Sequence, residues 1–164
     1  MASLLQQDDE EVRPGPGPAQ QAASFFAHAL LAASSWIALM LVGYAANPSN
    51  VPQPFILLLS IAIPFIVGFA VNHFRQAEMA TLVWLLGLIW FMIVALWILD
   101  MPTAPNQCLN CTVREKLTRT FFSFPGPSGL IDDDGPFLGT WPVAALLGYS
   151  IGARLALRRR ATED

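Results

Sequence analysis

The chain has 164 residues, of which 54% are hydrophobic and 13% charged, and its formal net charge is -3. Soluble globular domains carry about 25% charged residues, and the deficit here is concentrated, since no charged residue occurs between Arg13 and Arg75 or between Glu78 and Asp100. Apolar segments of that length exclude an ordinary water-soluble domain and predict membrane-spanning helices. The acidic balance, with no basic stripe among aromatic residues, argues against a nucleic-acid partner.

The first 23 residues are predicted to form a polar, disordered tail. A run of four acidic residues at positions 8–11 is followed by alternating proline and glycine, and such a composition buries too little apolar surface to order a segment. A secretory signal peptide would instead begin with a basic region before a short apolar core. We therefore expect the first span to act as an uncleaved insertion signal.

Four spans are predicted within a membrane domain that covers residues 24–158. The first three cover about residues 25–45, 55–74 and 80–99, each close to the roughly 20 apolar residues that cross a bilayer. Pro64 lies near the middle of the second span and is expected to kink that helix, because proline removes one backbone hydrogen bond.

The fourth span is predicted over about residues 137–157. It contains Arg154, whose guanidinium can extend toward the lipid headgroups while its aliphatic part stays in the apolar layer. Thr140 is a suitable N-cap, with Pro142 just inside the helix. The predicted fold is therefore an all-α polytopic membrane protein, with four antiparallel helices and a C-terminal tail over residues 159–164.

The distribution of basic residues predicts the orientation of the bundle. Four spans place both termini and the second connection on one side, and six of the nine basic residues fall there: Arg13, Arg75, Arg154, Arg158, Arg159 and Arg160. The other three are Arg114, Lys116 and Arg119. By the positive-inside rule, both termini are predicted to be cytoplasmic, with the loop over residues 100–136 outside, in a bacterial inner membrane.

The outer loop holds the only two cysteines, Cys108 and Cys111, in a CxxC spacing. An oxidising exterior favours a disulfide between them, which would stabilise the loop by about 2 kcal/mol. The alternative is redox chemistry: Thr112 and Glu115 match a capping box, and a helix N-terminus there would favour a Cys111 thiolate. The spacing resembles that of membrane thiol oxidoreductases, which generally use a second cysteine pair that this chain lacks. A zinc site would need four ligands, and no metal site is predicted.

A short amphipathic helix is predicted to follow the cysteines. Val113, Leu117 and Phe121 fall on one face of it, while Glu115 can pair with Arg119 at a spacing of i,i+4. We interpret this segment as an interfacial helix on the outer leaflet or on a partner protein.

Histidines and tryptophans supply weak candidates for cofactor binding. His28 and His73 are expected near the same membrane face, where two imidazoles from facing helices could ligate haem or a chlorin pigment; the simpler interpretation is that both lie among headgroups. Trp84, Trp90 and Trp97 follow one side of the third span, where they could contact a pigment or quinone, or pack against lipid or a neighbouring subunit. No cofactor is predicted.

Gly148 and Gly152 form a GxxxG pattern in the fourth span, which allows close helix packing either within the bundle or against a partner. No ionisable residue lies deep in any span, whereas ion pumps and proton relays need such groups. The sequence therefore predicts a non-catalytic accessory or assembly subunit of a larger membrane complex, with lipid and other membrane subunits as partners. The alternatives are a thiol oxidoreductase that uses the CxxC pair and a small-solute channel or carrier.

Overall fold

The computed structural model describes residues 17–45, 53–100, 111–122 and 139–162, and every regular element within them is helical. In chain order these elements are α1 (Pro18–Ala45), α2 (Gln53–Phe74), a 3-10 helix (Glu78–Leu82), α3 (Trp84–Asp100), α4 (Val113–Phe122) and α5 (Thr140–Arg160). The all-α fold class is thus confirmed for the described residues.

Three helical segments are long and apolar enough to cross a membrane: Pro18–Gly43, Pro54–Phe74 and Glu78–Asp100. They coincide with the first three predicted spans, and most of the large side chains that they expose are aliphatic or aromatic. A protein with this exposed surface is stable in hydrocarbon rather than in water. The chain is therefore an integral membrane protein.

The helix boundaries differ from the predictions in three main places. α5 covers Thr140–Arg160 instead of about residues 137–157, so it ends within the segment assigned to the C-terminal tail. α1 begins at Pro18 instead of residue 25, so residues assigned to the tail form its first turns. The third apolar segment is not one continuous α-helix, because the 3-10 helix precedes α3 and ends just before it. Short 3-10 turns are common at the ends of α-helices.

α5 is less apolar than the three spanning segments and is the most buried element. Its buried residues are mostly small: Trp141, Ala144, Ala145, Gly148, Tyr149, Ser150, Gly152, Ala153 and Ala156. α1, α2, α3 and the 3-10 helix all contact it, and α2 does so most extensively. α5 is therefore the central helix of the bundle.

The relative directions of the helices follow from contacts along α5. Glycines four residues apart in α5 face backbone atoms four residues apart in α2, Gly148 against Ile61 and Gly152 against Phe65, so α2 and α5 run in the same direction. α3 runs in the opposite direction, because the Trp84 backbone N–H at its start donates to Ser150 Oγ at 2.8 Å, while Gly87 lies beside the more N-terminal Leu146 of α5.

α4 packs against the C-terminal half of α3. Phe121 is buried there with Val94 and Ile98, and its ring lies 4.4 Å, centroid to centroid, from that of Phe91. The hydroxyl of Thr140, at the start of α5, donates to the Phe121 carbonyl. This bond satisfies a carbonyl that the end of a helix leaves free. Phe121 therefore connects α4 to α3 through its side chain and to α5 through its carbonyl.

Two sequence features of α4 are visible in its local geometry. The Glu115 backbone N–H donates to Thr112 Oγ1 at 3.4 Å, as a capping residue requires. The Glu115 carboxylate forms the expected ion pair with Arg119, at 2.9 Å. The predicted apolar face is only partly buried, because Val113 is exposed while Phe121 is buried.

Candidate functional site

α2 and α5 meet along a glycine seam, formed by Gly68 of α2 and Gly148 and Gly152 of α5. A Cβ atom added to any of the three would lie within 3.0 Å of a backbone oxygen in the other helix, a separation that real Cβ atoms essentially never show. Small residues allow such backbone approach, which drives helix association in lipid. The GxxxG pattern thus faces α2 of the same chain.

The sequence pattern indicates only the α5 side of this seam. Opposite Gly148 and Gly152, α2 presents the backbones of Ile61 and Phe65, which are large residues and give no small-residue pattern. Gly68 completes the seam but is the only glycine in α2. Only the relative position of the two helices identifies it.

A buried hydrogen bond of 2.6 Å between His28 Nδ1 and Tyr149 Oη joins α1 to α5. His28 is 8% exposed and Tyr149 is 0% exposed. Because polar groups buried in an apolar interior are stabilised only when they are bonded, this pair connects the two helices at one specific position. His28 is a weak candidate ligand by sequence, and no local pattern indicates Tyr149 as its partner.

Two further buried polar side chains accept hydrogen bonds from backbone N–H groups at the starts of helices. Asn72 donates from Nδ2 to the Gly68 carbonyl at 3.0 Å and accepts at Oδ1 from the Ala77 N–H at 3.3 Å. Ser150 accepts from the Trp84 N–H that begins α3. Backbone groups at helix ends lack partners in their own helix, so both residues have a structural role.

His73 lies in a different environment from His28. It is exposed near the end of α2, and its ring stacks on Phe69 with an interplanar angle of 9°. One ring nitrogen of His28 is already bonded to Tyr149. Within the described residues no group of three or more His, Cys, Asp or Glu side chains could hold a metal ion.

Only one of the two cysteines lies within the described part of the chain. Cys111 is half-buried and stands just before α4. Cys108 lies outside the described residues. The Cys108–Cys111 disulfide, and the redox activity considered as its alternative, therefore stay predictions.

Thiol labelling tests the state of the pair and its side of the membrane. In intact cells, we expect a membrane-impermeant maleimide to leave both cysteines unmodified until a reductant is added, because a disulfide has no reactive thiol, and then to modify both. In a Cys108→Ser/Cys111→Ser background, Ala161→Cys is the control and should react only after permeabilisation. Labelling without reductant would argue against the disulfide, and labelling of the native pair only after permeabilisation would reverse the orientation.

An apolar groove of about 680 Å³ lies between α1 and α3, with α5 as its floor. Trp36 of α1 and Trp90 of α3 line its walls, and Ala33, Ala145 and Leu146 are among its other lining residues. None of its lining side chains is ionisable. Trp90, the middle tryptophan of the α3 series, thus borders a groove that could hold an apolar occupant.

The chain matches no protein-family model, no curated protein and no solved structure. Its function is therefore inferred from the chemistry of the described residues. Two surfaces there are suited to another molecule: the apolar groove between α1 and α3, and the arginine-rich end of α5.

Proposed function

We propose that this chain is a non-catalytic subunit of a larger membrane complex, a four-span helical bundle whose α1/α3 groove receives a transmembrane helix of a partner protein. Both termini face the cytoplasm in this proposal, and the membrane is a bacterial inner membrane. The groove is the observation that carries the proposal, and three features of the described residues support it.

The first supporting feature is the suitability of α5 as a fourth span. The large hydrophobic residues that it exposes, Leu147, Ile151 and Leu155, follow one side of the helix at intervals of four. Most buried residues on its other faces are small and are covered by neighbouring helices. Only the exposed stripe has to be apolar for contact with lipid. α5 also runs parallel to α2 and antiparallel to α3, as the last helix of an alternating four-span chain would.

The second feature is the position of the groove between two helices that can both span a membrane. α1 contributes lining residues from Phe26 to Ile37, which at 1.5 Å per residue is about 16 Å, or roughly three turns. Leu30 and Ile37 on one wall and Ile89 and Ile93 on the other are exposed. The opening is therefore apolar and faces the bilayer, where a partner helix can enter sideways.

The third feature is the composition of the groove. Ala29, Ala33 and Ala145 are small lining residues, and small residues let a second helix approach closely in lipid. Trp36 and Trp90 add large contact surfaces, as aromatic residues do at interfaces. Since none of the lining side chains is ionisable, the groove is suited to packing and not to proton transfer.

Filling the groove tests the proposal. Ala33→Trp places a large side chain in the groove, and Ala38→Trp makes the same change at an exposed position of α1 that does not line it. The tagged full chain is extracted from native membranes in mild detergent, separated on native gels and examined by mass spectrometry. We expect the wild type and Ala38→Trp to migrate with a membrane protein partner, and Ala33→Trp to lose that partner.

Photo-crosslinking identifies what occupies the groove. A photoreactive amino acid at position 33 should capture a transmembrane segment of the same partner, and one at position 38 should not. A chain that migrates alone, a complex unaffected by Ala33→Trp, or a crosslink at position 33 to lipid only would each contradict the proposal.

A further inference from the structure

The exposed side of α5 combines an apolar stripe with arginines at its C-terminal end. Leu147, Ile151 and Leu155 form the stripe, and each is more than 40% exposed. Arg154 and Arg158 are also exposed and stand four residues apart, so they lie on one face of the helix. With 100° of rotation per residue, that face borders the stripe, which places two guanidinium groups at the end of an apolar track.

The described residues at this end of the bundle are mostly basic. Arg159 and Arg160 follow in the last turn of α5, and Arg75 directly follows α2. Because α2 and α5 run in the same direction in close contact, Arg75 lies near the same level as the end of α5. Among the acidic residues in the described ranges, only Glu78 belongs to this end, since Glu115 lies in α4 and Asp100 ends α3.

We propose that this surface binds one anionic phospholipid, with its phosphate on Arg154 and Arg158 and an acyl chain along Leu147, Ile151 and Leu155. Guanidinium groups bind phosphate oxygens in a bidentate geometry. From Leu147 to Arg154 the helix rises roughly 10 Å, so one acyl chain covers the whole stripe.

The position of Arg154 supports a lipid phosphate as the ligand. It lies one turn before Arg158, and its neighbour Leu155 belongs to the apolar stripe. An arginine at that depth is costly in hydrocarbon unless its side chain reaches headgroups or a counter-charge, and the phosphate of an anionic lipid supplies both. This inference rests on the four-span placement of α5 proposed above, but not on the partner helix.

Lipid binding is measured with the purified full chain in nonionic detergent. Phosphatidylglycerol and phosphatidylcholine with identical acyl chains are titrated separately, and bound lipid is counted by native mass spectrometry. We expect tighter binding of phosphatidylglycerol. Arg154→Gln/Arg158→Gln should weaken that binding by roughly thirtyfold, because each basic residue near an anionic lipid surface contributes roughly fivefold.

Two control variants separate this site from general effects of charge. Arg114→Gln removes an exposed arginine from α4 and should leave phosphatidylglycerol binding unchanged. Arg154→Lys/Arg158→Lys keeps the charge but not the bidentate geometry, so its affinity should fall between those of the wild type and the double glutamine variant. An unchanged circular dichroism spectrum of the double glutamine variant excludes a folding defect as the cause of its loss.

Three outcomes would overturn the lipid site: equal affinity for the two lipids, equal loss in Arg114→Gln and in the double glutamine variant, or displacement of bound lipid by millimolar inorganic phosphate alone. The partner-helix proposal would survive any of them. Conversely, loss of the partner complex would leave lipid binding unchanged, so the two failures are distinguishable.

Discussion

Replacing Gly152 with alanine is expected to destabilise the bundle by about 3 kcal/mol, the upper part of the usual range for overpacking a close-packed site. The new Cβ would lie within 3.0 Å of the Phe65 carbonyl oxygen. Since that oxygen belongs to the backbone, it cannot rotate away, and α2 and α5 must move apart. The free energy of unfolding in mixed detergent micelles, followed by circular dichroism, measures the effect.

Gly43→Ala is the matched control for this prediction. Gly43 lies near the end of α1, and a Cβ added there meets no atom within 4 Å. Alanine is favoured over glycine inside a helix by roughly 1 kcal/mol, so this variant should be neutral or slightly more stable. Equal destabilisation by the two substitutions would contradict the contact between α2 and α5 as the cause, because a Cβ at Gly43 meets no neighbouring atom.

The sequence predicts the spanning helices because their signal is local. A helix in hydrocarbon must be long, apolar and uncharged, and the charge-free stretches between Arg13 and Arg75 and between Glu78 and Asp100 satisfy that requirement without reference to the rest of the fold. The short helix after Cys111 is predictable for the same reason, since its capping residues and its Glu115–Arg119 pair lie within one or two turns.

The contacts that build the bundle are harder to predict because they join residues far apart in sequence. His28 and Tyr149 are 121 positions apart, and neither residue alone indicates the other. Gly68 has no small neighbour at the spacing that would identify it as part of a helix interface. The groove between α1 and α3 exists only once both helices are placed on α5, so no local pattern could reveal it.

Under the four-span proposal, α5 illustrates why hydropathy alone undervalues a central helix. Lipid contacts only the outer side of a bundle, so a helix covered by its neighbours can be rich in alanine, glycine and serine and still lie at membrane depth. Its small residues lower its hydropathy but allow α2 to approach it closely. The same residues that weaken the signal for a span therefore create the seam.

The second large effect is expected at the bond between α1 and α5. Tyr149→Phe should destabilise the bundle by about 2 kcal/mol, because it removes the hydroxyl 2.6 Å from His28 Nδ1 and leaves a buried ring nitrogen without a partner. His28→Leu should have a similar cost, since it leaves the tyrosine hydroxyl unbonded in an apolar interior.

A double-mutant cycle separates the bond from the packing of the two side chains. If His28 and Tyr149 stabilise the fold through their hydrogen bond, the double variant His28→Leu/Tyr149→Phe should be less destabilised than the sum of the single variants, by about 1 to 2 kcal/mol. The free energies of unfolding of all four proteins in the same micelles give this coupling. Simple additivity would mean that α1 is held by apolar packing alone, and the specific connection of α1 to Tyr149 would then have to be abandoned.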